Sequence, residues 1–293
     1  MHRALGFAAI LSSLALAIGL PAHAADMPLK APPITALPSW TGFYVGGQIG
    51  GGWSDRTVTY VGNDPIATLL VNGGLGAVGE QPFASHRVNI SGVTGGLEAG
   101  YNLQIDRSWV IGVEADFSGS DIKGSGSGTS VLATAAPGFF TQTVAGQEKI
   151  DWWGTVRARL GVLATPDLLL YGTAGFAYGR VMLSDSYVFN GAPPAGLLGD
   201  LAGRSFLCAV NVTCFSGSTS SVKTGWTAGA GGEWRWTHNW TVKAEYLYVD
   251  LGNASVNSVA NTLKRAGTAF ASYNANFGRA DFHVARIGVN YHF

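Results

Sequence analysis

The stretch Phe282 to Phe293, FHVARIGVNYHF, decides the fold. Counting back from its end, Phe293, Tyr291, Val289, Ile287 and Ala285 alternate with His292, Asn290, Gly288 and Arg286. Period two with one apolar and one polar face is the signature of a β-strand. Here the apolar face is the bulky one, and the run finishes on an aromatic residue. A strand that offers lipid one face and a polar interior the other belongs in a transmembrane β-barrel, whose last strand pairs with its first and leaves no open edge. Ile287, Val289, Tyr291 and Phe293 are therefore read as the assembly signal of a closing strand.

Composition agrees with that reading. Eighteen Lys and Arg balance 18 Asp and Glu, so there is no basic footprint and no nucleic-acid partner is expected. The chain has 42 Gly and 11% aromatics but only 12% charged residues, which suits strands better than helices. Mean hydropathy is +0.19, too low for a bundle of membrane helices and right for a barrel with a greasy outside and a polar inside.

Residues 1–24 read as a signal peptide: Arg3, an apolar run from Ala4 to Leu20, and the small-residue site Ala22-His23-Ala24. A membrane-anchoring helix is the alternative, and Pro21 and the short apolar run argue against it. Sec-type export to the periplasm and a place in the bacterial outer membrane follow from the two readings together. Residues 25–39 hold Pro28, Pro32, Pro33 and Pro38 and read as an extended periplasmic linker. Residues 40–293 are then the barrel.

Within them the alternation predicts eight strands: 40–53, 88–104, 109–119, 150–164, 168–183, 223–237, 240–251 and the closing stretch. Phe43, Val45 and Ile49 face out from the first; Trp109, Ile111, Val113, Ala115 and Phe117 face out from the third. Leu168, Leu169 and Leu170 are consecutive, so the faces of the fifth strand stay ambiguous. The glycines of WTGFYVGGQIGGGW open no helical pattern and precede no Lys-Ser/Thr, so they read as lumen-facing rather than as a phosphate cradle. Four long polar loops are expected at 54–87, 120–149, 184–222 and 252–280, alternating with short turns. Long external loops, short periplasmic turns and an even strand number make an up-and-down antiparallel barrel with both ends in the periplasm. Trp109, Trp236, Trp240 and Tyr291 fall near the periplasmic strand ends, as an interfacial girdle requires. A soluble β-sandwich would alternate too, but has no need of aromatics banded by depth.

The segments WTGFYVGG, LEAGYNLQ, VIGVEADF, WWGTVRARLGVL, LLLYGTAGFAYG, WTVKAEYLYVDLG and RIGVNYHF resemble the small outer-membrane β-barrel family of alphaproteobacteria, often called outer-membrane immunogenic proteins and grouped with porin-like proteins. The likeness spans the mature chain and weakens in the four loops. It implies an eight-stranded barrel like the membrane domain of OmpA-like proteins, and surface antigens.

The inward-facing charges form the main constellation: Glu98, Glu114, Asp116, Arg157, Arg159, Glu233, Arg235, Lys243, Glu245 and Arg286. An eight-stranded barrel is only just wide enough for side chains, so buried ions there must pair. The same residues could line a narrow ion path. Acid–base catalysis is the remote reading, since no nucleophile is assigned beside the carboxylates. The histidines are scattered: His86 in a loop, His238 in a turn, His283 near the external rim and His292 inward. No metal spacing, catalytic triad or cofactor motif can be assembled from them, so no cofactor and no enzymatic activity are expected. Cys208 and Cys214 share one loop and, in an oxidising compartment, are expected to form a disulfide; free thiols are the alternative. The expected role is structural, in membrane integrity and as a surface antigen, with a narrow porin as the alternative. Expected partners are outer-membrane lipids and lipopolysaccharide, the barrel-assembly machinery, and host or environmental ligands at the external loops.

Overall fold

A computed structural model describes residues 39–74, 81–135, 138–191, 211–261 and 271–293. The expected signal peptide and most of the expected linker lie outside these residues, as does Cys208 and with it the expected cysteine pairing. Eight antiparallel strands close into one barrel: β1 Gly42–Gly62, β2 His86–Gln104, β3 Trp109–Ala135, β4 Gly138–Thr165, β5 Leu168–Asn190, β6 Thr213–Arg235, β7 Trp240–Ala260 and β8 Ser272–His292. Each strand pairs with its sequence neighbour, and β1 pairs with β8. A short helix, α1 (Pro65–Asn72), follows β1.

The closing strand meets β1 in the register Val45↔Tyr291, Gly47↔Val289 and Ile49↔Ile287. Phe293 adds a last hydrogen bond, its N–H donating to the Phe43 carbonyl at 3.0 Å, and its ring stands edge-on to Tyr291, which meets Trp240. The rings of β7 and of the chain end thus meet at the turn end, where the backbone of β1 accepts the last hydrogen bond. A Phe293→Asp variant is expected to yield several-fold less heat-modifiable barrel in the membrane. Normal amounts on a cold-versus-boiled gel would count against an assembly role.

The strands are far longer than the sequence suggests. They run from 19 to 28 residues, whereas about 9–11 suffice to cross a bilayer. The loop expected at 120–149 is instead mostly strand, with β3 and β4 separated by two residues. The loops expected at 54–87, 184–222 and 252–280 are likewise shortened by extensions of β1, β5, β6, β7 and β8. His86, expected in a loop, opens β2 and is buried.

These extensions have the opposite polarity to the part below them. In the half nearest the short turns, apolar side chains face outward: Leu97 is 74% exposed, Phe43 66% and Ile287 62%. Such a belt of solvent-facing apolar surface fits lipid, not water. In the half nearest the long connections, Val88, Ile90, Ile122, Val144, Val181, Tyr273 and Phe277 face inward and are fully or almost fully buried. α1 adds Ala67, Leu70 and Val71 to that core. Ser125, Ser127 and Thr129 point out to solvent from the Gly/Ser run. The ambiguity in β5 resolves with it: Leu169 and Tyr171 face in, and Leu170 faces out.

Two glycines let the strands change phase between the halves. Gly252 (φ +80°) and Gly278 (φ +77°) sit at the register shifts of the β7–β8 ladder. A positive φ is strained for any residue with a Cβ, so glycine is the residue that fits a bulge there. Below Gly252 the odd-numbered residues Lys243, Glu245, Leu247 and Val249 face in; above it the even-numbered Ala254, Val256 and Ser258 do.

Candidate functional site

The interior of the lipid-facing half is a dry ion network. Glu98 and Asp116 face Glu114 from neighbouring positions on β2 and β3; Arg157 and Arg159 come from β4, Glu233 from β6, Lys243 and Glu245 from β7, and Arg286 from β8. Alternation puts each of these side chains inside because its neighbours on the strand are apolar and face lipid. None is more than 4% exposed, so water offers them nothing.

Glu114 is the hub. One of its oxygens is paired with Arg157, the other accepts from Tyr44 Oη at 2.7 Å and Arg159 at 3.3 Å, and Lys243 reaches both at 3.2 Å. Arg157 also holds Asp116 at 3.0 Å and Glu245 at 2.8 Å. Arg286 binds the same two carboxylates, at 3.1 and 2.6 Å. Lys243 Nζ lies 2.6 Å from Glu98, and Arg159 lies 2.7 Å from Glu233. The guanidinium of Arg159 also stacks over Tyr171 at 3.9 Å, giving a cation–π contact where solvent is absent. Thr155 donates to Asp116 and Thr241 to Glu233, both at 2.6 Å. Buried ions are tolerated on these terms, with partners of opposite charge and extra hydrogen bonds.

Nine of the ten sequence-selected charges meet in this network. Arg235 does not. It lies at the turn-end mouth with its guanidinium 4.6 Å above the ring of Trp40, and donates to the Ser39 carbonyl at 3.1 Å. Arg235 is the last residue of β6, so it stands below the network rather than in it. Trp40 is wholly buried across the same mouth, its indole N–H donating to the Pro166 carbonyl at 3.1 Å. His292 faces inward beside it, 3.1 Å from Glu233 and stacked on Tyr44.

At the opposite end of the network Trp153 lies across the lumen, fully buried, donating to Thr94 at 3.0 Å and packed edge-on against Phe282. Above it begins the apolar core, whose described residues include two carboxylate-centred polar insertions that the sequence did not reveal. Arg56 pairs with Glu148 at 2.8 Å. Asp185 accepts from Tyr273 at 2.6 Å, Ser258 at 2.7 Å and Tyr60 at 3.3 Å. Both lie within stretches expected to be loop. The usable signal was the unbroken alternation Gln142, Val144, Gly146, Glu148, Ile150, whose members all face in.

Burial raises the Glu148 carboxyl to about 7; Arg56 opposes the shift and Asp281 adds to it. The folded chain then keeps a proton that the unfolded chain, near its ordinary 4.5, gives up. Stability from this group is therefore full below about 4.5 and is lost as pH rises through about 7. Glu148→Gln is expected to flatten that dependence, read as the difference between urea midpoints measured on either side of this window.

Among the described residues no cluster of three or more His, Cys, Asp or Glu has metal-binding geometry. His283 is outward, its ring 2.6 Å from Tyr246 Oη and stacked on Trp53. Cys214 is buried near the start of β6.

The sequence matches the model of the outer membrane protein β-barrel domain over residues 12–293. It is 35% identical over 292 residues to the 31 kDa outer-membrane immunogenic protein of Brucella melitensis, covering 97% of this chain and 98% of that one. It is 28% identical over 220 residues to the 22 kDa outer membrane protein of Rhizobium leguminosarum, covering 74% and 67% of the two chains. Among solved structures, the outer membrane protein OprG of Pseudomonas aeruginosa aligns with a TM-score of 0.42 at 12% identity, over 86% of this chain and 97% of that one.

Proposed function

This chain belongs to the outer membrane protein β-barrel family, and we propose that it serves the bacterial outer membrane as a closed structural barrel and surface antigen rather than as a pore. The observation that carries this is the pairing of the lumen: Glu98, Glu114, Asp116, Arg157, Arg159, Glu233, Lys243, Glu245 and Arg286 each have an oppositely charged partner. An ion path needs charges free to exchange partners with a passing ion. Here a permeating ion would have to break several buried pairs, then pass Trp153 and an apolar core. Trp40 covers the other mouth.

The reading orients α1 and the extended strand ends outward. That end is an extension with its own apolar core, so it holds α1 and the strand ends clear of the lipid, where antibodies and other surface ligands reach them. The name of the Brucella relative, an immunogenic protein, supports a surface-exposed role and gives no reason to assign catalysis. The carboxylates of the lumen are engaged by cations and remote from solvent, which is a poor setting for proton transfer to a substrate.

Conductance of the refolded mature chain in a planar bilayer tests this. Folded protein, established by its heat-dependent gel shift, is expected to leave the bilayer silent. Reproducible discrete openings whose ion selectivity changes in an Arg157→Glu variant would replace the proposal with a narrow pore.

A further inference from the structure

A groove on the outer wall of the barrel lies just beyond the lipid-facing belt and is lined by cations. On the side formed by β3, β4 and β5, the belt ends in an aromatic row: Phe117 packs on Trp152 at 5.6 Å, and Trp152 on Tyr178 at 6.2 Å. Aromatic side chains of this kind mark the depth of lipid headgroups. Arg180 is the register partner of Trp152. One row further from the bilayer, Lys123 and Lys149 are direct register partners on adjacent strands. The three side chains are 60%, 39% and 44% exposed for Lys123, Lys149 and Arg180.

Like charges directly opposite one another in a sheet are unfavourable unless an anion joins them. Each lysine has a carboxylate two residues away on its own strand: Asp121 at 3.0 Å from Lys123, and Asp151 at 3.1 Å from Lys149. Asp151 also lies 3.9 Å from Arg180. These are exposed pairs, which hold their partners weakly and are easily exchanged. Two carboxylates against three cations leave one positive charge over.

The groove itself measures about 680 Å³ and runs across the outer faces of β3 to β6. Its wall is lined by Lys123, Lys149, Met182, Ser184, Ser218 and Ser220. Arg180 is held at its lower edge, Nε donating to Ser220 Oγ at 2.8 Å. An apolar floor, a set of hydroxyls, and ammonium groups at headgroup depth suit a phosphorylated sugar whose acyl chains run down past the aromatic row. A plain glycerophospholipid would use the charge but not the hydroxyls.

We propose that the Lys123–Lys149–Arg180 groove binds the phosphorylated glucosamine headgroup of lipopolysaccharide in the outer leaflet. The two lysines take one phosphate between them, which removes their mutual repulsion. Arg180 and the serines take sugar oxygens.

The test uses the refolded mature chain in detergent micelles, with diphosphoryl lipid A, monophosphoryl lipid A and phosphatidylglycerol as probes, each bound lipid counted by native mass spectrometry. Wild-type protein is expected to hold diphosphoryl lipid A in preference to the other two. The Lys123→Gln/Lys149→Gln variant should lose that affinity at least about tenfold, the scale of one or two charge-assisted hydrogen bonds. Arg107→Gln, in the turn at the opposite end, should bind as wild type does. Should the double variant not fold, Lys149→Gln alone carries the comparison. Unchanged binding in the lysine variant would overturn the proposal. So would equal retention of phosphatidylglycerol by the wild type, which would mean that the belt takes any anionic lipid.

Discussion

Replacing Glu114 by Ala is expected to lower the stability of the barrel by about 3–5 kcal/mol, the cost of stripping one partner from a buried ionic cluster. Arg157, Arg159 and Lys243 all spend hydrogen bonds on this carboxylate, and Arg286 stands 3.7 Å away. Without it each cation keeps another carboxylate, but Arg157, Arg159 and Lys243 are left with hydrogen bonds unmade in a space closed to water. Tyr44 also loses the acceptor of its hydroxyl. Glu114→Gln keeps the shape and one oxygen but removes the charge, and should fall between wild type and alanine. Urea unfolding of the barrel in lipid vesicles, followed by tryptophan fluorescence, gives the numbers. An alanine variant with the wild-type midpoint would mean that the network is hydrated and soft, which would also undercut the closed-lumen reading. Arg235→Gln offers the contrast: it touches Trp40 at the mouth and none of the carboxylates, so its effect should be much smaller.

The lipid-facing half of the molecule was legible from the sequence because both of its solvents leave a mark there. Lipid selects Trp109, Ile111, Val113 and Phe117 on one face, and the narrow lumen selects Glu114 and Asp116 on the other, so the period and its phase are both visible. The other half has water outside and a packed core inside. Many of its outward residues are Ser, Thr, Gly and Asn, which also mark turns, so the Ser/Gly run from Gly124 to Ser130 reads as a loop when it is strand. Phase was lost as well. In β4 a bulge at Asp151 moves the inward set from odd numbers at Trp153, Thr155 and Arg157 to even numbers at Ile150 and Glu148. A period carried upward from the lipid-facing half would have turned Glu148 to the outside. Arg235 failed for a simpler reason: parity says which face a residue takes, and cannot say that the strand has already ended.

Introducing a charge at Val181 is expected to be as damaging as the loss of Glu114, although the two positions occupy halves built on opposite rules. Val181 is fully buried among the apolar residues above Trp153, in a core with Leu183, Val249 and Phe282. An aspartate there finds no cation, and an unpaired buried carboxylate costs several kcal/mol or forces the core open. Two residues of contrast make the rule visible. Phe176→Asp, on the outer face of the same strand, puts a charge into lipid and should cost up to about 2 kcal/mol, less than a basic residue at mid-bilayer. Ser127→Asp, outward on the extension of β3, meets water and should be close to neutral. Below Trp153 polarity is thus tolerated inside and forbidden outside; above it polarity is free outside and tolerated inside only where it is partnered, as at Arg56–Glu148 and Asp185. The readouts separate the halves. Phe176→Asp should reduce the yield of membrane-assembled barrel, because it acts where lipid is the solvent. Val181→Asp should leave a protease-resistant core containing the ion network while the extensions become cleavable, since the network below keeps its partners. If Val181→Asp were neutral and Ser127→Asp damaging, the long-connection half would have to be turned inside out relative to the arrangement described, with its apolar side chains facing a partner instead of each other.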